Sequence, residues 1–300
     1  MFDMIVIGGG PAGLSAAVYG LRNGKSVLII EKSVFGGQIV NSPKVENIPG
    51  FTSISGDVFA DKFLDQAMAQ GAEVTLEEVM DVKKENIFYV QTLEGNTYQG
   101  KSVIIATGTT HRLLGLEHEE DLIGDGISFC AVCDGDFYKD QTVVMIGGGN
   151  SAFVEANLLV DIVKELILLQ DMPFFTADQK SQDQLFAHPN VTAHVNTKVL
   201  GYELTDGRLT GVRYEQAGKE QIVSCDGVFL AVGLVPDNGI FKELTNLDAS
   251  GYIQADEACL TKTPGLFVAG DCRTKSLRQV ATACADGAMA AIAACSYLKQ

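Results

Sequence analysis

The 300-residue sequence predicts an α/β protein built from two three-layer domains, the second inserted into the first. Two observations carry this. The chain contains an internal duplication of a strand–glycine turn–helix–strand unit, and short β-branched runs ending in Gly recur through the rest of it. Residues 3–13, DMIVIGGGPAG, lead a strand-like run into Gly8, Gly10 and Gly13, and residues 142–152, TVVMIGGGNSA, repeat the scheme with Gly147, Gly149 and Ala152.

In chain order, the first unit runs from its glycine turn into LSAAVYGLRNG. This is an apolar helical pattern closed by the Asn23-Gly24 C-cap signal. The strand KSVLIIEK follows at 25–32. In the second unit the helix FVEANLLVDIVK leads to the strand ELILLQD at 165–171. Further strand-plus-turn pieces stand at 102–110, 227–235 and 265–272. Both duplicated units are therefore Rossmann-like, with glycines for a turn of positive φ and for close approach of backbone amides to a pyrophosphate. The simplest partition gives an outer dinucleotide-binding domain of residues 1–112 and 243–300 and an inner one of residues 113–242. Gly115 and the Pro236–Gly239 run offer turn chemistry near the crossings.

Composition narrows the function. A formal charge of −16 argues against a phosphate-backbone partner. The N-terminus enters a strand at once without a basic n-region, and no stretch reads as a run of about 18 apolar residues. These features lead to the expectation of a cytoplasmic protein without a membrane segment. Seven cysteines are present, and only Cys130 and Cys133, in ISFCAVCDGDFY, are closely spaced. Such a lone CxxC pair is redox-active or metal-binding more often than structural. Zinc would need two further ligands, and neither a second CxxC nor an HxxxH pattern supplies them, so no metal is expected. A helix starting near Cys130 would hold both sulfurs on its first turn, where free amides favour a thiolate. Asp134 is a candidate proton donor and acceptor for the dithiol, whose formation consumes two protons. Glu31 closes the second strand of the outer unit, the place of a ribose acceptor that repels a 2′-phosphate. Asp271, on a Gly-Asp turn after an apolar strand, reads as a ligand carboxylate or a helix N-cap.

The ordered set GGGPAG, GGQ, VENIPGF, ATG, CAVCD, GGGNSA and AGD followed by RQV resembles the low-molecular-weight thioredoxin reductase family of flavoproteins, over essentially the whole chain. The resemblance implies FAD in the outer domain. Gly8, Gly10, Pro11, Ala12 and Gly13 would lie along its pyrophosphate and Glu31 on its ribose. Gly37, Gln38 and Asn47 would lie near the flavin, Gly270 and Asp271 at the ribityl chain, and Arg278, Gln279 and Val280 beside the isoalloxazine. Val79, Thr107 and Gly108 complete the implied cofactor set. The same likeness makes Cys133 the flavin-side sulfur, Cys130 the sulfur that attacks the partner disulfide, and Asp134 the acid–base group. It also implies thioredoxin as substrate, a homodimer, and a rotation of one domain against the other between half-reactions.

One stretch departs from the family. NADPH-dependent members carry a His-Arg-Arg-x-x-x-Arg run after the second strand of the inner unit, whereas here Leu169, Gln170, Asp171 and Phe175 stand at those places. Losing two or three charge-assisted hydrogen bonds costs on the order of 3–6 kcal/mol. NADPH is thus not the expected ordinary donor. Reduced ferredoxin is the leading expectation, as in the branch that dispenses with pyridine nucleotide. NADH held by Asp171, atypical NADPH binding with help from Lys180, and a related dithiol oxidase stay open. Ferredoxin is acidic, and Lys262, Arg273, Lys275 and Arg278 are expected to give it a local basic patch. Glu155 matches a family position near the nicotinamide and reads equally as a solvated helix residue.

Overall fold

The computed structural model describes residues 1–42 and 45–299, so Pro43 and Lys44 of the 35–51 stretch lie outside the described residues. The chain forms two compact units, one of Met1–Thr110 with Val235–Gln300 and one of His111–Leu234.

The first unit opens with β1 (Phe2–Ile7), α1 (Pro11–Arg22) and β2 (Val27–Glu31). Pro11 sits at the first helical position, where its missing N–H costs nothing, and the chain leaves the helix through Asn23 and the positive-φ Gly24. α2 (Gly56–Ala69), β3 (Glu73–Leu76), β4 (Val79–Lys84), β5 (Phe88–Thr92) and β6 (Thr97–Ile105) follow, and β7 (Thr110–His111) marks the first crossing. The sheet order is β3-β2-β1-β6-β5-β4, with the later strand β17 (Leu266–Val268) also on β6. β1, β2, β3, β6 and β17 run parallel, while β4 and β5 are antiparallel additions. One face of this sheet packs on α1 and on α6 (Val280–Tyr297) through Met4, Val6, Leu14, Ile29 and Ala290, and the other buries Ile5, Ile7, Phe88 and Phe241. Buried on both faces, β1 and β2 read as continuous apolar runs, as parallel strands do.

The second unit contains β8 (Ile127–Ser128), α3 (Ala131–Asp134), β9 (Thr142–Ile146), α4 (Asn150–Leu159), β10 (Glu165–Leu169), α5 (Gln179–Phe186) and β11 (Val191–His194). An antiparallel sheet of β12 (Thr197–Thr205), β13 (Arg208–Gln216) and β14 (Lys219–Ser224) comes next, then β15 (Gly227–Leu230) and β16 (Leu234–Val235) at the second crossing. The parallel sheet is ordered β11-β10-β9-β15-β8. Its faces are covered by α4 and α5 on one side and by the antiparallel sheet on the other, with Phe153 and Val212 each fully buried.

The second crossing falls at 234/235, upstream of the boundary expected at 242/243. The reason is packing. Phe241 is fully buried in the first unit's core, and the Asn238 amide donates to the carbonyls of Gly251 (2.9 Å) and Cys272 (2.8 Å). A turn-rich Pro-Asp-Asn-Gly run resembles a linker in sequence, yet here it is anchored structure.

Candidate functional site

Cys130 and Cys133 form a disulfide with their Cα atoms 5.3 Å apart. Cys130 is the N-cap of the single-turn α3, and its sulfur accepts from the Cys133 N–H at 3.2 Å. Cys133 and the intervening Val132 are exposed, and Phe137, four residues beyond Cys133, is 77% exposed. Asp134 does not stand free behind the second sulfur. Its carboxylate accepts at 2.6 Å from the hydroxyl of Ser128, and that hydroxyl in turn accepts from the Cys130 N–H at 3.1 Å. Ser128 is buried at the end of β8, so strand and cysteine helix are tied through one hydroxyl. Tyr138 packs edge-on against Phe229, and burial, with Asp134 and Asp125 nearby, pushes its pKa up.

Glu155 is not a solvated residue of α4. Its carboxylate accepts from the Ala131 N–H, the amide directly after Cys130, and burial pushes its pKa up against the lowering effect of that bond. His111 stacks on Phe129, the residue before Cys130, with ring centroids 4.6 Å apart, and burial pushes its pKa down.

In the first unit the glycine turn works by close approach. Gly8 has φ +106° and its N–H donates to Ile30 O at 2.8 Å, while a Cβ on Gly13 would lie 1.9 Å from Gly8 O. Glu31 folds back beneath the turn, accepting from Gly9 N at 2.7 Å and Ser33 N at 2.9 Å. A cleft of about 190 Å³ opens beside it, lined by Gly8, Glu31, Val79 and Thr107. Around Gly10 there is room, since a Cβ there would meet nothing nearer than the Gly36 O and Gly37 Cα at 3.9 Å. Gly108 at φ +67° likewise faces open space. Gln38 donates to Thr109 O at 2.7 Å, and Asn47 donates to the Gln279 side chain at 2.8 Å. Gln279 caps α6 in a capping box with Thr282, and Val280 packs on Val45, Ile48 and Phe59. Gly270 sits so close to Ala12 that a Cβ would come within 2.8 Å of it. Asp271 is not a helix cap: its Oδ1 is buried without a hydrogen-bond partner, and burial pushes its pKa up. The Arg278 guanidinium donates to Asp271 O at 3.3 Å and lies 4.0 Å over the Tyr252 ring. Every cofactor residue expected from the sequence therefore falls in one unit.

The glycine turn of the second unit repeats this backbone with different side chains. Gly147 N donates to Leu169 O at 3.0 Å, as Gly8 N does to Ile30 O, and Ile146 pairs with Leu169 as Ile7 pairs with Ile30. The residue matching Glu31 is consequently Gln170, not Asp171. Gln170 is buried under Gly148, where a Cβ would meet its Cδ at 2.6 Å, and its amide donates to Phe174 O at 3.4 Å. Asp171 lies one residue beyond, exposed. Lys180 is exposed on α5, and Met172 and Phe174 are exposed apolar residues on the loop between.

The expected basic patch is also revised. Arg273 is 2% exposed and makes paired donations to Asp286, at 2.9 Å from Nε and 2.8 Å from its terminal nitrogen, and Lys275 Nζ donates to the same carboxylate at 2.8 Å. Asp286 also accepts from Gly270 N at 3.0 Å. Of the four basic residues only Lys262 is exposed, so they form no docking patch. Asp286 was not singled out from the sequence, although a lone acid in the apolar run ATACADGAMAAIAAC is the signal that marks it. Ser128 carried no signal beyond its nearness to the cysteines.

A protein-family model described as pyridine nucleotide-disulphide oxidoreductase matches residues 2–287. A thioredoxin reductase of Listeria monocytogenes is 40% identical over 302 residues, covering 100% of this chain and 95% of that protein. Among solved structures, the thioredoxin reductase of Lactococcus lactis superposes with a TM-score of 0.95 at 32% identity, covering 100% of this chain and 99% of that one. That of T. acidophilum gives 0.92 at 38% identity, covering 98% of each.

Proposed function

Because the chain belongs to the pyridine nucleotide-disulphide oxidoreductase family, and within it to the low-molecular-weight thioredoxin reductases, we propose that it reduces the disulfide of a thioredoxin through Cys130 and Cys133. It is a flavin disulfide oxidoreductase with two Rossmann-like domains, and FAD is its cofactor. The first unit fits that group on its own geometry. The turn leaves space at Gly10, the cleft is lined by Gly8, Glu31, Val79 and Thr107, and Asp271 aims an orphaned buried oxygen. An acceptor so placed costs about 1–3 kcal/mol unless a donor meets it, and a ribityl hydroxyl is such a donor.

In this reading Gly8, Gly10, Pro11, Ala12 and Gly13 approach the pyrophosphate, since the start of α1 presents N–H groups without intrahelical acceptors. Glu31 takes the ribose. Gly37, Gln38, Asn47, Gly108, Gly270, Arg278, Gln279 and Val280 frame the remaining cofactor. Once reduced by the donor, the flavin would supply the electron pair that opens the disulfide. Cys130 then attacks the partner's disulfide, and Asp134, held by Ser128, exchanges protons with the sulfurs. The observation that carries the reading is the disulfide at an exposed position, with apolar Val132 and Phe137 uncovered beside it as a protein substrate requires. Cys133→Ser in the FAD-loaded enzyme should abolish thioredoxin reduction. Full turnover in that variant would end the proposal.

For the donor, we favour reduced ferredoxin over NADPH. Leu169, Gln170, Asp171 and Phe175 offer no cation to a 2′-phosphate, and Gln170 in place of an acid withdraws the feature that favoured NADH. With Arg273 and Lys275 committed to Asp286, ferredoxin must be received elsewhere than on the set Lys262, Arg273, Lys275 and Arg278. Anaerobic titration with NADPH, NADH and reduced ferredoxin, followed by flavin absorbance, tests this: bleaching is expected with ferredoxin alone, and bleaching by micromolar NADPH would overturn it. We also place the enzyme in the cytoplasm as a homodimer. Its five other cysteines are free, and Leu260, Met289 and Ile292 stand exposed round a cleft of about 540 Å³ on the first unit.

A further inference from the structure

We infer that Glu155 tunes the Cys130–Cys133 couple, making the reduced pair a stronger reductant by setting a carboxylate against the start of the cysteine helix. The inference rests on the reading of this pair as the redox couple of a disulfide reductase. Three observations carry it. Glu155 reaches from α4 to accept the Ala131 N–H, so it occupies the amide next to Cys130. α3 is a single turn, and of its first amides that of Cys133 goes to the Cys130 sulfur, so Glu155 takes one of the few donors from which a thiolate could draw stabilisation. Among the described residues no cation pairs with Glu155.

The other titratable groups facing the pair within its unit do not compensate. Asp134 is joined to Ser128, Asp125 and Tyr138 stand behind it, and His111, stacked on Phe129, is pushed by burial toward its neutral form. Reducing the disulfide breaks the S–S bond and takes up two electrons, with two protons for a dithiol or one where a thiolate remains. An anionic neighbour penalises the thiolate product. The equilibrium then shifts toward the disulfide, so the reduced pair gives up its electrons more readily. Couples whose reduced form is stabilised are oxidants, and withholding that stabilisation has the opposite sense.

Glu155→Gln is the discriminating variant, because its amide oxygen can still accept the Ala131 N–H while the charge is gone. The FAD-loaded enzyme is equilibrated in dithiothreitol redox buffers near pH 7.5, its cysteines are trapped by alkylation, and the two forms are counted by mass. At equal poise the dithiol-to-disulfide ratio should rise about tenfold in Glu155→Gln, equivalent to about 30 mV for a two-electron couple. Glu155→Asp, which keeps the charge, should stay nearer the wild type. The gap should close as pH falls and Glu155 protonates, and thiolate absorbance should show a more acidic thiol in the Gln variant. An unchanged or lowered ratio in Glu155→Gln overturns the tuning while leaving the reductase reading intact. Full turnover in Cys133→Ser overturns that reading whatever the ratio does.

Discussion

Glu31 and Gln170 occupy the same place in two copies of one turn, and a single atom type separates their chemistry. The carboxylate of Glu31 gathers the N–H groups of Gly9 and Ser33, whereas the Gln170 amide lies under Gly148 and spends a donor on Phe174 O. The place of Glu31 at the glycine turn was readable because it ends an apolar strand. That of Gln170 was not, since counting along LLQD placed Asp171 at the strand end and only the pairing of Ile146 with Leu169 fixes the register. Asp271 was readable as either cap or ligand carboxylate, and the structure removes the cap reading by burying one oxygen without a partner. Asp271→Asn keeps the volume and removes an acceptor for a charge-assisted bond, a loss of roughly 1.5–3 kcal/mol. The variant should hold FAD one to two decades more weakly, measured by flavin fluorescence on dilution. Unchanged retention would take Asp271 out of the cofactor site.

At the scale of elements, α6 shows how one side chain fixes a helix to its unit. Eighteen residues long and largely apolar, it has the length and composition of a membrane-crossing segment, contrary to the expectation that no stretch reads as such a run. Burial accounts for its small apolar residues: Ala283, Gly287, Ala290, Ala291 and Ala294 face inward, and Gly287 passes so near α1 that a Cβ would sit 2.0 Å from Ala12 O. Asp286 on the same face gathers Arg273, Lys275 and Gly270 N, which ties α6 to the turn carrying Asp271. Burial alone would push the Asp286 pKa up, but the Arg273 and Lys275 donors outweigh it and hold the carboxyl below its ordinary value. A depressed acid contributes stability above its unfolded pKa, near 3.9, and that contribution is lost as pH falls through the folded value. Asp286→Asn would leave two buried cations short of a counter-charge, at a cost of about 3–5 kcal/mol. The melting temperature should fall by on the order of 10 °C at pH 7, with the wild type converging on the variant in acid below about pH 4. A parallel loss at all pH values would mean the carboxylate acts by shape alone. Arg273 and Lys275, read from sequence as surface charge, were misplaced for the same reason: composition shows a cation, and only packing shows its partner.

At the scale of the whole molecule, the interrupted domain order was legible because each half of the duplication carries its own strand–turn–helix signature. The exact crossing was not, because Pro236–Gly239 has the composition of a linker and the anchoring of a core segment. Assembly lies further still from the sequence, since an exposed apolar side chain on an amphipathic helix looks the same whether water or a partner covers it. On the first unit, Leu260 (51% exposed), Met289 (50%) and Ile292 (43%) line one cleft, with Tyr297 and Ala293 completing its wall. Leaving such a group uncovered forgoes roughly 1.5–3 kcal/mol per large side chain, so a second copy docking there would gain most of its association energy from these few residues. In light scattering after size exclusion, the FAD-loaded protein should therefore run at twice its 32.0 kDa chain mass. The double variant Met289→Lys, Ile292→Glu should run at the chain mass with its flavin spectrum retained, because neither residue lines the Gly8–Glu31 cleft. A wild-type protein already monomeric at tens of micromolar would remove the homodimer. A double variant that stays dimeric would move the interface off this face of α6.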